Sequence, residues 1–224
     1  MNARLNAALL TVVCMVATSP LAATIVIDNY TAGGTLFRFG AGSVTQITTS
    51  SDILGGTRDD LLVVPVTGNE FFGAVGFDGD VQIAQGASDQ VSGSFTYDDF
   101  APLDLTENGV NRAFVFNVSS VDSVSPISDV FSITVSDGSV VSTHNFDLPG
   151  NENVPGLFTV TFDNFTGGVD FSNIESIVLA YDFASSPGSD VAIDSFGAAI
   201  PEPGHLSIIG GLSLLAICRR RKQR

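Results

Sequence analysis

Carboxylates dominate the side chains of this chain that could do chemistry. They gather as Asp59-Asp60, Asp78-Gly79-Asp80 and Asp98-Asp99, with Asp28 and Asp194 placed towards the two ends of the polar region. Calcium takes about six to eight oxygen ligands, and aspartates on turns supply them. Asp28 in Val26-Ile27-Asp28-Asn29-Tyr30 and Asp194 in Ala192-Ile193-Asp194-Ser195-Phe196 sit where a first and a last strand would meet, so this pair is the candidate calcium site. The competing role for all these residues is turn chemistry, because Asp bonds its own backbone and tolerates turn geometry. Neither EF-hand nor RTX nonapeptide spacing occurs.

Other chemistries find less support. His144 is the single histidine of residues 24–200 and lies in a Val/Ser/Thr strand pattern, which reads as a solvent-facing strand histidine. No G-x-S-x-G motif accompanies it, so a nucleophilic hydrolase lacks its elbow. Zinc would need three or four ligands, and only one strong nitrogen donor exists. A glycosidase needs two facing carboxylates, but Glu70, Glu107, Glu152 and Glu175 form no recognisable pattern. There is no tryptophan, which leaves Tyr30, Tyr97 and Tyr181 as sugar platforms, while the 17 Phe read as core. No Walker loop or dinucleotide fingerprint is present.

The elements that must position these residues are strands. Ala113 to Ser119, Val130 to Val135 and Phe158 to Phe162 alternate or run apolar with Val, Phe, Thr and Ile. Ile25, Ile27 and Asn29 alternate with Val26, Asp28 and Tyr30, and Ile174, Ile177, Leu179 and Tyr181 lead into Val191 to Phe196. No window carries a helical apolar stripe with caps. Short strands at about ten-residue spacing predict an all-β fold, an antiparallel β-sandwich or jelly roll. Both cysteines, Cys14 and Cys218, lie outside residues 24–200, so that domain is predicted to fold without a disulfide. Its 177 residues suffice for one core.

Charge narrows the partners. Residues 24–200 hold three cations, Arg38, Arg58 and Arg112, against 19 Asp and 4 Glu, a net charge of −20. A phosphate backbone would be repelled, which excludes nucleic acid. Such a surface attracts divalent cations and could be bridged through them to an acidic exopolysaccharide.

The two ends read as export signals. Met1-Asn2-Ala3-Arg4, an apolar stretch from Leu5 to Ala17, and Ser19-Pro20-Leu21-Ala22-Ala23 form a secretory signal peptide over residues 1–23, with cleavage after Ala23. At the other end Pro201-Glu202-Pro203 precedes an uncharged run from Leu206 to Cys218, then Arg219, Arg220, Arg221, Lys222 and Arg224. The run spans about 20 Å as a helix, short of the roughly 30 Å hydrocarbon core, and the cations hold its end in the cytoplasm. The order of these three parts resembles the PEP-CTERM sorting signal of Gram-negative bacteria. The resemblance implies recognition of Pro201, Glu202 and Pro203 by the membrane protease exosortase, with residues 206–218 as a single transmembrane helix and the Arg-rich end as stop-transfer. It also implies export through the Sec translocon, an inner-membrane intermediate, and a final place in the cell envelope, outer surface or extracellular matrix.

Residues 24–200 are themselves similar to an extracytoplasmic domain that recurs in PEP-CTERM proteins. The similarity lies in Ile53-Leu54-Gly55-Gly56-Thr57-Arg58-Asp59-Asp60, Ser94-Phe95-Thr96-Tyr97-Asp98-Asp99, Leu103-Asp104-Leu105-Thr106, Asn111-Arg112-Ala113-Phe114 and Gly168-Val169-Asp170-Phe171-Ser172-Asn173-Ile174. That resemblance implies architecture and destination rather than chemistry. The expectation is therefore a non-enzymatic surface or biofilm-matrix protein associated with exopolysaccharide. The alternative is a calcium-dependent carbohydrate-binding module, since many carbohydrate-binding jelly rolls hold calcium between first and last strands, and a secreted polysaccharide hydrolase ranks third.

Overall fold

The computed structural model describes residues 25–65, 72–87, 89–122, 127–148, 150 and 154–199. The proposed signal peptide, Ala23, and the whole of residues 201–224 lie outside the described residues. Among those described, no helix is long and apolar enough to cross a membrane.

Among the described residues thirteen strands follow one another: β1 (Ile25–Asp28), β2 (Leu36–Phe39), β3 (Gly42–Thr49), β4 (Thr57–Val64), β5 (Phe72–Phe77), β6 (Val81–Gln85), β7 (Ser92–Tyr97), β8 (Ala113–Val121), β9 (Ile127–Ser136), β10 (Val141–Leu148), β11 (Gly156–Thr161), β12 (Ser176–Asp182) and β13 (Val191–Ala199). They form two antiparallel sheets. One runs β11-β8-β13-β6-β5-β2, with β1 paired to β13, and the other runs β10-β9-β12-β7-β4-β3. Rings meet across the gap between the sheets: Tyr97 and Phe196 at 6.2 Å, Phe77 and Phe95 at 5.9 Å, Phe116 and Phe146 at 5.2 Å. The all-β, antiparallel sandwich read from the alternation is thus the fold observed.

Period-two patterning explains which side each residue takes. In β12, Ile177, Leu179 and Tyr181 are buried while Val178 and Ala180 are half-buried. The same parity in β4 places Arg58, Asp60, Leu62 and Val64 in the core and Asp59 in solvent. Apolar alternation marks β8, β9, β11, β12 and β13, whereas β2 to β7 carry too much Gly and polar residue to stand out by that signal.

The alternation expected for residues 25–30 is broken in the structure. A bulge lies between Val26 and Asp28 in the β1–β13 pairing, so Ile27 and Asp28 are both buried. An extra residue re-aims the side chains that follow it. Tyr30, two residues after Asp28, has φ 53°, a left-handed conformation uncommon for a bulky residue. Its backbone N–H donates to Asp28 Oδ1 at 2.7 Å, which helps fix that turn.

The sandwich has two open sides. Strands β2 and β3, joined through Gly40 and Ala41, end the two sheets on one side, and β10 and β11 end them on the other.

Candidate functional site

Two places bring polar side chains against aromatic rings, one sealed and one open. The sealed one is centred on Arg58, which is 0% exposed. Its Nη1 donates to Asp28 Oδ2 at 2.5 Å and its Nε to Asp60 Oδ1 at 2.5 Å. Nη2 donates to the Ala32 carbonyl at 3.2 Å. The guanidinium carbon lies 3.9 Å from the centroid of the Phe77 ring. Tyr97 Oη donates to Asp28 Oδ2 at 3.1 Å, and Thr48 Oγ1 to Asp60 Oδ2 at 2.9 Å. A buried charge is tolerable only when paired and hydrogen-bonded in this way.

The electrostatics follow from burial. Loss of water raises the pKa of Asp28 and Asp60, and the facing Arg58 opposes that rise. Burial works against the Arg58 charge, but the hydrogen bond to Asp60 and the fields of both carboxylates outweigh it and push its pKa up. Tyr30, Tyr97 and Tyr181 all titrate above the usual phenol range, chiefly because they are buried. With Arg58 and Asp28 0% exposed and Asp60 2%, the centre's chemistry is that of a structural ion triad holding β1 to β4.

This locates most of the residues singled out by the sequence. Asp28 and Asp194 are engaged separately. Asp28 accepts from the Tyr30 N–H, Arg58 and Tyr97, while Asp194 Oδ2 accepts from Asn117 Nδ2 at 2.6 Å. Among the described residues no three His, Cys, Asp or Glu side chains converge as a metal set. Asp59 is exposed and Asp60 buried, so that pair is divided between solvent and core. Asp78 and Gly79 turn the chain from β5 into β6, and Asp99 Oδ2 accepts from Thr57 Oγ1 at 3.2 Å. Tyr30, Tyr97 and Tyr181 are 0%, 0% and 2% exposed, which removes them as sugar platforms. Of the four glutamates, Glu107 and Glu175 lie on separate loops, and Glu70 and Glu152 lie outside the described residues.

The open place is a cleft of about 410 Å³ in the seam between β10 and β11, the end strands of the two sheets. Neither strand hydrogen-bonds to the other, so side chains and not backbone fill the gap. His144 and Phe146 project into it from β10, and Phe158 and Val160 from β11. Phe158 is half-buried and stacks on Phe146 at 5.6 Å and 22°, and Phe146 in turn stacks on the buried Phe116 at 5.2 Å. The core thereby holds one aromatic wall in place. A 3₁₀ turn over Phe162–Asn164 caps β11 and sets the exposed Asn164 at the rim, and Asn145, Asp147 and Thr159 complete it. His144 is half-buried 5.7 Å from the Phe165 ring, not solvent-facing as its strand pattern suggests. Amide, carboxylate, imidazole and hydroxyl groups around an apolar wall supply donors and acceptors for a polyhydroxylated ligand.

No family model matches the chain, and no curated protein matches it. Solved structures with a similar strand arrangement do exist. The family 11 carbohydrate-binding module of the cellulosomal cellulase Lic26A-Cel5E of Clostridium thermocellum matches with TM-score 0.37 and 13% identity, over 82% of this chain and 99% of that one. The family 30 module of the cellulosomal cellulase Cel9D-Cel44B of Clostridium thermocellum matches with TM-score 0.39 and 13% identity, over 80% and 97%. An exo-β-agarase matches with TM-score 0.41 and 15% identity over 80% of this chain but 25% of its own. At these TM-scores the likeness is loose, and the sandwich described above rests on its own strand pairing.

Proposed function

We propose that residues 24–200 form a non-enzymatic glycan-binding module on an exported protein, and that the ligand binds in the β10–β11 cleft. The observation that carries this reading is the cleft itself, where the half-buried Phe158 shares the lining with His144, Asn145, Asp147 and Asn164. The ligand class is an uncharged polysaccharide segment. A net charge of −20 on the domain repels an acidic chain unless divalent cations bridge the two. Asp28 takes no part in binding, since its carboxylate is occupied by Arg58, Tyr97 and the Tyr30 N–H.

The supports for export are in the sequence: the N-terminal stretch ending at Ala23, and the order of Pro201-Glu202-Pro203, apolar run and Arg cluster. On this reading the Sec translocon and exosortase deliver the module to the envelope or matrix. Intact mass of the exported form should then begin near Thr24 and end near Pro203, and a product that retains Arg224 would remove the sorting step.

Binding is tested on a glycan array spanning neutral and acidic polysaccharides, with and without a chelator. Retention of neutral glycans in chelator, lost on Asn164→Ala, supports the cleft. Retention that requires calcium and survives Asn164→Ala contradicts it.

A further inference from the structure

The side of the sandwich opposite the cleft carries a second feature that ligand binding does not use. Strand β3 ends its sheet and pairs only with β4 among the described residues. Its eight residues, Gly42-Ser43-Val44-Thr45-Gln46-Ile47-Thr48-Thr49, contain no charge and no proline. Strand edges present unpaired N–H and C=O groups, and natural proteins usually blunt them with charge, proline or a bulge. Here the pairing with β4 runs from Gly42 to Thr49 without a register shift. Ile47, on its outer face, is 72% exposed. The neighbouring edge strand β2 adds Phe37 and Phe39, 59% and 70% exposed, with rings in edge-to-face contact at 6.0 Å. The other strands that end the sheets differ. Strand β2 carries Arg38, β10 carries Asp147, and the shorter β11 lies between Pro155 and Asp163.

We infer that β3 is a self-association edge, pairing antiparallel with β3 of a second copy about a two-fold axis. The charge distribution selects this occupant. In a domain with 23 carboxylates, an uncharged eight-residue edge matches another uncharged edge, and an isologous pair brings two of them together without adding a carboxylate to the junction. Asp59 lies one strand in, opposite Ile47. Its counterpart across the junction is at least three strand spacings away, about 14 Å. That exceeds the Debye length of about 8 Å at 0.15 M salt but is well within the roughly 30 Å at 0.01 M. Association is therefore permitted at moderate ionic strength and opposed at low ionic strength. A single edge pair is small beside the roughly 1,600 Å² of a stable interface, so the dimer is concentration-dependent. Because β10 and β11 lie on the far side, both clefts of the dimer stay open. The pair becomes a bivalent binder for a polymer that presents repeated sites.

The test is sedimentation velocity on the protein purified from its exported fraction, at about 0.01 M and about 0.3 M sodium chloride. The mass should be that of one chain at the lower salt and double at the higher, rising with protein concentration. Thr45→Glu, opposite Leu61, should remain monomeric at both salts with an unchanged melting temperature, and Ile47→Glu, opposite Asp59, should remain monomeric at both with a slightly lowered one. Val141→Glu, at a 67% exposed position on the opposite edge strand β10, should dimerise as the parent does. A parent chain that stays monomeric throughout overturns the inference. So does a dimer that survives both β3 substitutions, or one lost on Val141→Glu. Glycan binding at the cleft should be retained in the β3 variants, which separates this test from that of the proposed function.

Discussion

The sealed centre at Arg58 and the open seam at Phe158 use similar ingredients to opposite ends. Both set charged or amide groups against phenylalanine rings. At Arg58 each guanidinium nitrogen has an acceptor, both carboxylates have several donors, and all of the groups are buried. At the seam the aromatic wall is anchored in the core through Phe146 and Phe116, but Asn145, Asp147 and Asn164 remain exposed. The contrast shows that acidic abundance is a poor guide to open surface in this protein. Asp28 and Asp60 are the carboxylates least able to meet a ligand, because any ligand would first have to replace Arg58.

The largest consequence falls on the sealed centre. Arg58→Met should destabilise the domain by about 3–5 kcal/mol in urea unfolding, because it leaves Asp28 and Asp60 buried without their cation. Combining Arg58→Met with Asp28→Asn and Asp60→Asn should recover part of that loss. A single-variant cost below about 1 kcal/mol, the range of a surface pair, would mean that water reaches the centre.

Alkaline titration comes next. The three tyrosines have folded-state pKa values raised above the usual 10.0, so the folded state holds its phenol protons where the unfolded state releases them. Stability is therefore intact below pH 10 and is lost as pH rises through that value. With no tryptophan in the chain, tyrosinate absorbance reads this directly. It should appear in one cooperative step coincident with loss of the strand signal in circular dichroism. A tyrosine titrating near pH 10 in the folded protein would contradict its burial.

Smaller still is a difference between two tyrosines of the same centre. Tyr97 donates to Asp28, whereas the buried Tyr30 hydroxyl meets no acceptor with hydrogen-bond geometry. Tyr97→Phe should cost about 1 kcal/mol, and Tyr30→Phe should be neutral or stabilising, since it removes an unsatisfied polar group. Equal costs would point to a water shared by the two hydroxyls.

How much of this was legible in the sequence depends on the element. The strands β9 and β11 show their parity openly, because Val, Ile and Phe alternate with Thr and Ser, while β8, β12 and β13 stand out as apolar runs. The ion triad was legible in principle: reading back by twos from Val64 and Leu62 puts Asp60 and Arg58 on the core side. Taking Asp59-Asp60 as one acidic cluster hides that signal. Asp28 could not be placed by parity at all, because the bulge at Ile27 turns it inward and no local residue type announces the bulge. The cleft was beyond the sequence for another reason. Asn164, Phe158 and His144 lie on a turn and two strands of different sheets, and nothing in their spacing says that the end strands β10 and β11 face one another.

The central claim is that recognition belongs to the seam and stability to the triad, and titration calorimetry with a neutral oligosaccharide identified on the array tests it most directly. With chelator present, the parent should bind, and Asn164→Ala should bind about five-fold more weakly, the loss of one hydrogen bond of about 1 kcal/mol, with an unchanged melting temperature. Binding that vanishes with the chelator, or that is unaffected by Asn164→Ala, would contradict the account.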